Sequence, residues 1–239
     1  MTSIISRDLT PEGDSLLTTI NPFPRTIVLV RHGETQGNID DRAQGQLDVP
    51  LTKLGRLQAE AVAKRLSGIK FDAIYSSDLQ RAVETAKAIT AQRPELHIRT
   101  RPQLREHHFG DYEDTSWEEV GNADPEFYQR WKNLNSRIGI KFPGGESMLE
   151  AWERVGRFLR EILAEHRQGN ETILVVGHVG SLRGVLAHLL NLDATNQWVF
   201  LFDNTSVTIV REHQYTPNAW RIRQFNDTSH LNGIGFNAK

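Results

Sequence analysis

The side chains of this sequence best suited to chemistry are Arg31, His32, Arg81 and His178. Each is a cation or can become one, and each falls where a strand ends or a helix begins. The formal net charge is -2, so bulk basicity does not explain their convergence. Arginine presents a planar fork of donors that matches phosphate oxygens. A neutral imidazole is a competent nucleophile near neutral pH. The loop that continues from His32, Gly33-Glu34-Thr35, adds backbone N–H groups, and Asn38 adds an amide. This composition favours phosphate over carboxylate as the anion, although spacing alone is weak support. Singly, Arg31 or Arg81 reads as a surface or ion-pair residue, and His178 as a satisfied core histidine.

Positioning these groups requires a layered scaffold. Residues 27–30 (Ile-Val-Leu-Val) form a continuous apolar, β-branched run, as expected of a strand buried on both faces. A similar run at 172–176 releases His178, 146 positions after His32. In open α/β sheets ligands bind outside the carboxyl ends of the strands. Between these runs, Thr52 caps a predicted helix over 53–66, with Leu54, Leu57, Ala61, Val62 and Leu66 on its apolar side. A short strand at 72–76 precedes a helix over 79–92, capped by Ser77 or Asp78 and stopped by Pro94, with Arg81 in its first turn. A further strand is expected at 96–99. Ser147 and Glu150 form a capping-box pattern opening a helix toward Gly169, with Leu149, Trp152, Val155, Phe158, Leu159, Ile162 and Leu163 inward. The helix from His178 to Leu190 points its first N–H groups at the same crevice and favours an anion there. Segments 206–211 and 220–225 read as two late strands, a hairpin at the sheet edge.

Strands alternating with helices predict an α/β chain, a three-layer α/β/α sandwich with a mostly parallel central sheet. Residues 102–145 break the pattern with dense aromatics and charges and predict a small helical lid. The organisation expected is an N-terminal extension, 1–24, packed through Leu16, Leu17 and Phe23, then a single domain over 25–239. Hydrophobic residues are 38% and charged residues 24%, the composition of a soluble globular protein. No apolar run approaches the roughly 20 residues of a membrane span. The charge balance gives no reason to expect nucleic acid or an anionic membrane. There are 0 cysteines, which excludes disulfides, a thiolate nucleophile and cysteine metal sites, and fits a cytoplasmic location. No basic segment followed by an apolar stretch opens the chain, so no signal peptide is expected.

Taken in order, the motifs are far more specific than any one of them. Arg31-His32-Gly33-Glu34-Thr35 with Asn38, Gln44-Gly45 with Asp48 and Pro50-Leu51-Thr52, and Ser76-Ser77-Asp78-Leu79-Gln80-Arg81-Ala82 with Thr85 resemble the histidine phosphatase superfamily, the phosphoglycerate mutase-like proteins. Leu104-Arg105-Glu106, Phe109-Gly110, Gly144-Gly145-Glu146-Ser147, Gly177-His178 and the late Asn226, His230 and Leu231 extend the resemblance over about residues 26–231. It implies that His32 is the nucleophile that accepts a phosphoryl group. It implies that Arg31, Arg81 and His178 form the phosphate pocket, with Asn38, Gln44, Gly45 and Val179 at its edge. Glu106 resembles the general acid and base. The implied activity is that of a phosphomonoester hydrolase of the histidine acid phosphatase type, acting on a small phosphorylated metabolite without metal or other cofactor, as a monomer or homodimer.

Two other functions share these residues. A phosphoglycerate mutase uses the same nucleophile, but its longer insertion is missing from the stretch between Glu106 and Gly145. A non-catalytic phospho-ligand binding protein would not be expected to keep Arg31, His32, Arg81, Glu106 and His178 together. Glu113 on the same loop is the rival to Glu106. Neighbours His107 and His108 point to opposite faces of an extended chain, which argues against a shared metal. Arg130, Lys132, Arg137 and Lys141 read as a solvated face, with a substrate contact from one of them as the alternative. The chain departs from the family at Asp114, where many relatives have Gly. That anion near the pocket mouth is expected to disfavour highly anionic substrates. Val179-Gly180-Ser181 also replaces a Gly-Gly run.

Overall fold

A computed structural model describes residues 24–133, 137–167 and 169–235. The expected packing of Leu16, Leu17 and Phe23 lies outside the described residues. In chain order the elements are β1 (Thr26–Arg31), α1 (Gln36–Ile39), β2 (Arg42–Ala43), α2 (Lys53–Arg65), β3 (Ala73–Ser76), α3 (Gln80–Thr90), β4 (Ile98–Thr100), β5 (Thr115–Ser116), α4 (Trp117–Ala123), α5 (Pro125–Lys132), α6 (Met148–Glu165), β6 (Thr172–Gly177), α7 (Val179–Leu189), β7 (Val207–His213) and β8 (Thr216–Asp227). The main sheet runs β4-β3-β6-β1-β7-β8. Its first four strands are parallel, and β7 and β8 are antiparallel. The two apolar runs, β1 and β6, are therefore central neighbours, which is why both are buried on both faces. Strand alternation sorts their side chains. Ile27 and Leu29 face α6 and α7, whereas Val28 and Val30 face α2 and α3. This is the expected three-layer sandwich.

Some local expectations shift for physical reasons. In α2 the buried stripe is Gly55, Gln58, Ala59 and Val62, while Leu57 is exposed; the helix is rotated because Gly55 packs against the loop after β1. In α6 it is Met148, not Leu149, that turns inward. Neither Ser77 nor Asp78 caps α3. The Gln80 N–H instead donates to Asp48 Oδ1 (2.6 Å), a cap supplied by another loop. The capping box of α6 forms as the sequence predicts, with Ser147 and Glu150 exchanging hydrogen bonds. Residues 102–147 carry α4, α5 and several 3-10 turns around their own aromatic cluster, in which Val120, Phe127, Trp131, Ile140, Phe142 and Met148 are buried.

Candidate active site

The register of the central strands places the two histidines. Arg31 pairs with Gly177 across the parallel β1–β6 ladder, and the His32 N–H donates to the Gly177 carbonyl (3.0 Å). The next residue of each strand, His32 and His178, must then leave the sheet side by side. Their ring centroids lie 5.0 Å apart. Strand β3 lies on the other side of β6, so α3 starts beside them and brings in Arg81.

Hydrogen bonding fixes what each imidazole offers. His32 Nδ1 lies 2.7 Å from the Gly33 carbonyl. A carbonyl only accepts, so Nδ1 carries the proton and the Nε2 lone pair is left to attack. Arg81 Nε donates to His178 Nδ1 (3.2 Å). A guanidinium only donates, so this Nδ1 is bare, and in neutral His178 the proton is on Nε2. His178 Nε2 is buried without a hydrogen-bond partner among the described residues. Burial first, and then the nearby Arg81, hold both imidazoles well below the usual histidine range. His178 is therefore neutral and carries an N–H at Nε2.

Arg31 and Arg81 bring the positive charge. Burial is the main cause that lowers each to about 10, which leaves both cationic at neutral pH. Arg81 is fixed by the carbonyls of Leu47 (2.6 Å) and Gly45 (2.7 Å). Gly45 has a φ of +50°, a left-handed conformation that turns this loop toward Arg81. Arg31 Nη1 donates to the Phe202 carbonyl (2.8 Å), while its Nε is buried without a partner among the described residues. Asn38 and Gln44 both hydrogen-bond Thr35 in the loop after β1. The Thr35 hydroxyl donates to Gln44 Oε1 (2.6 Å), and Asn38 Oδ1 accepts from the Thr35 N–H (3.1 Å). The loop after His32 is also pinned from below: the Gly33 N–H donates to Thr85 Oγ1 (3.1 Å) and the Glu34 N–H to Gln58 Oε1 (2.9 Å).

The carboxylates separate cleanly. Glu106 lies at the first turn of α7, where Oε1 accepts from the N–H groups of Gly180 (2.9 Å) and His107 (2.8 Å). Its charge acts on Arg31, Arg81 and Arg183. Glu113 is instead taken up in bracing loops, since its Oε1 accepts from Gln46 N–H (2.8 Å) and Phe109 N–H (3.2 Å). Arg154 steadies the Glu106 loop by donating to the carbonyls of Gln103 (2.7 Å), Arg105 (3.0 Å) and Glu106 (3.3 Å) while paired with Glu146. His107 is a buried member of the lid, ringed by Phe109, Trp131 and Phe142, with Nε2 against the Glu146 carbonyl (2.8 Å). Asp114 has a φ of +61°, a left-handed conformation that favours glycine, and its side chain is paired with Arg42, which also pairs with Glu119.

Sequence reasoning missed the loop before β7. Asn204 Nδ2 donates to the His32 carbonyl (3.0 Å) and Asn38 Oδ1 (3.2 Å), and the Thr205 N–H donates to the Arg31 carbonyl (3.1 Å). The signal was present: Asp203-Asn204-Thr205 is turn-forming composition at a strand start, and Thr205 has a φ of +55°. Also missed was a cavity of about 270 Å³ beside Glu106, Val179 and Gly180, walled by Trp117, Trp131 and Trp198.

His32, His178, Arg31 and Arg81 thus meet at the carboxyl ends of the central strands, with the Glu106 carboxylate at the first turn of α7. The profile of the histidine phosphatase superfamily (branch 1) matches residues 27–228. The chain is 37% identical over 212 residues to phosphoglycerate mutase-like protein 4 of Arabidopsis thaliana, with 88% of each covered. It is 36% identical over 214 residues to a metal-independent phosphoserine phosphatase of the same plant, with 88% of this chain and 84% of the relative covered. A mycobacterial glucosyl-3-phosphoglycerate phosphatase superposes with a TM-score of 0.75 at 30% identity, covering 86% of this chain and 100% of that one. The chain belongs to the histidine phosphatase superfamily.

Proposed function

We propose that this protein is a metal-independent phosphatase that hydrolyses small phosphomonoesters through a phosphohistidine on His32. The observation that carries the reading is the set of orphaned donors around the nucleophile. Among the described residues, Arg31 Nε and His178 Nε2 are buried polar atoms without partners, and the His178 ring lies 5.0 Å from that of His32. Buried donors left unpaired cost about 1–3 kcal/mol each, which a bound phosphate would relieve. Phosphoryl transfer needs mainly positioning and donors at the equatorial oxygens, and these side chains supply them.

In the first step His32 Nε2 attacks phosphorus and the bond to the ester oxygen breaks. Protonated Glu106 gives its proton to that oxygen, and the alcohol leaves. In the second step Glu106, now a carboxylate, takes a proton from water as the water oxygen attacks phosphorus. The P–N bond breaks, inorganic phosphate leaves, and His32 and Glu106 return to their starting forms. The neutral state of His32, enforced by burial and Arg81, keeps the lone pair available for the first attack.

Steady phosphate release from p-nitrophenyl phosphate in the presence of EDTA, lost in His32→Asn, tests the reading. Absence of release by the unaltered protein contradicts it. A mutase reading is favoured by the name of the phosphoglycerate mutase-like relative. Conversion of 3- to 2-phosphoglycerate stimulated by 2,3-bisphosphoglycerate, without net phosphate release, would decide for it.

A further inference from the structure

The cavity beside Glu106 is where the ester's alcohol would lie, and its charges are unusual. At about 270 Å³ it falls near the lower end of small-molecule sites. Its walls are largely aromatic, yet two guanidinium groups share the indole of Trp198. Arg137 stands 4.5 Å and Arg183 5.0 Å from that ring's centroid. Arg137 also lies 5.0 Å from the Trp131 ring.

Several other arginines are paired with carboxylates: Arg25 with Glu212, Arg105 with Asp78, Arg154 with Glu146. Arg137 and Arg183 have no salt bridge among the described residues. Arg183 gives Nε to the Phe200 carbonyl (2.7 Å), and its terminal nitrogens have no hydrogen-bond partner among the described residues. Among the described residues the Arg137 side chain donates only to the Lys132 carbonyl, at 3.4 Å, and its Nε is buried without a partner. Two partly buried like charges in an apolar setting disfavour each other. Burial lowers both guanidinium groups; the nearby Glu106 charge favours the charged form of Arg183, and Arg137 opposes it. A guanidinium stacked on an indole keeps its in-plane N–H groups for an acceptor. No hydrogen-bond acceptor among the described residues meets the terminal nitrogens of Arg183, and the cavity opens directly onto Glu106.

We propose that the cavity selects phosphomonoesters whose leaving group carries an anion of its own, a carboxylate or a second phosphate, held by Arg137 and Arg183 with Trp198 between them. This rests on the phosphatase reading of the site.

The test compares matched esters. 3-Phosphoglycerate and glycerol 3-phosphate differ by a carboxylate against a hydroxymethyl group. Fructose 1,6-bisphosphate and fructose 6-phosphate differ by a second phosphate. The unaltered protein should favour the anionic member of at least one pair by about tenfold or more in kcat/KM, the order expected of a charge-assisted hydrogen bond. Which pair shows it identifies the anion. Arg183→Gln and Arg137→Gln should each move that ratio toward one, chiefly through KM, and Arg183→Lys should retain part of it. Arg137 is the less buried of the two, so its variant carries the test if Arg183→Gln does not fold. Equal kcat/KM within both pairs, or equal losses on both members, would overturn the inference alone. Failure to hydrolyse any ester, p-nitrophenyl phosphate included, would overturn the phosphatase reading and this inference with it.

Discussion

At the scale of single residues, the site works by fixing proton positions. The Gly33 carbonyl sets the proton of His32 on Nδ1, and the guanidinium of Arg81 sets that of His178 on Nε2. On the proposed mechanism one ring is the nucleophile and its neighbour a donor, with no change of charge. There Glu106 has the complementary task of giving a proton to the ester oxygen and taking one from water. An alkoxide needs that proton far more than a phenolate does. Glu106→Gln should therefore reduce kcat/KM for an alkyl phosphate much more than for p-nitrophenyl phosphate. Equal losses on the two would argue against the acid role. The placement of these residues was partly legible in the sequence, because Arg31-His32-Gly33 follows an apolar run. The choice between Glu106 and Glu113 was not, because only the folded loops show Glu113 spent on the N–H groups of Gln46 and Phe109.

At the scale of elements, close backbone approach holds the nucleophile loop. A Cβ on Gly33 would overlap the Gly55 carbonyl oxygen, and a Cβ on Gly55 would overlap the Glu34 carbonyl oxygen. Helix α2 can press on this loop only because both positions are glycine. Replacing Gly55 by Ala gains up to about 1 kcal/mol of helix propensity. Overpacking costs about 1–3 kcal/mol, so the clash wins. Gly55→Ala should melt lower and turn over more slowly, whereas Gly68→Ala, with open space around it, should do neither. A Gly55→Ala protein as stable and active as the parent would refute the close-approach account. The same contact explains why periodicity placed α2 correctly yet misjudged its inward face. Apolar spacing favours Leu54 and Leu57, but the helix is turned by a steric fit to a loop that precedes it in the chain. Similarly, no local pattern could show that Asp48 caps α3 in place of Ser77 or Asp78.

At the scale of the whole molecule, several imidazoles are buried and kept neutral. Burial, the first cause in each case, pushes His32, His107, His178, His188 and His230 below the ordinary value of 6.5. Between the lowered folded value and about 6.5, the unfolded chain holds a proton that the folded chain does not. Stability is then intact above pH 6.5 and falls as pH drops through that value. The melting temperature should decline from pH 7.5 to pH 5.5, and His107→Phe, in the aromatic lid, should flatten the decline. A flat or rising profile toward acid would contradict this. The layered fold was legible because β1 and β6 are continuous apolar runs, whereas the lid was legible only as a region. Its aromatic density marked residues 102–145, but Trp198 joins that cluster from a turn after α7 and Arg183 reaches the cavity from α7 itself. Those contacts come from distant parts of the chain and leave no periodic trace.

The central claim, that His32 carries the phosphoryl group, is tested most directly by trapping the intermediate. Brief mixing of the protein with an excess of p-nitrophenyl phosphate, quenching in alkali and peptide mass spectrometry should show an alkali-stable, acid-labile phosphoryl group on His32. The label should form within one turnover and be absent from His32→Asn. Rapid phosphate release with His32 unmodified, or a label on another residue that persists in His32→Asn, would contradict the account.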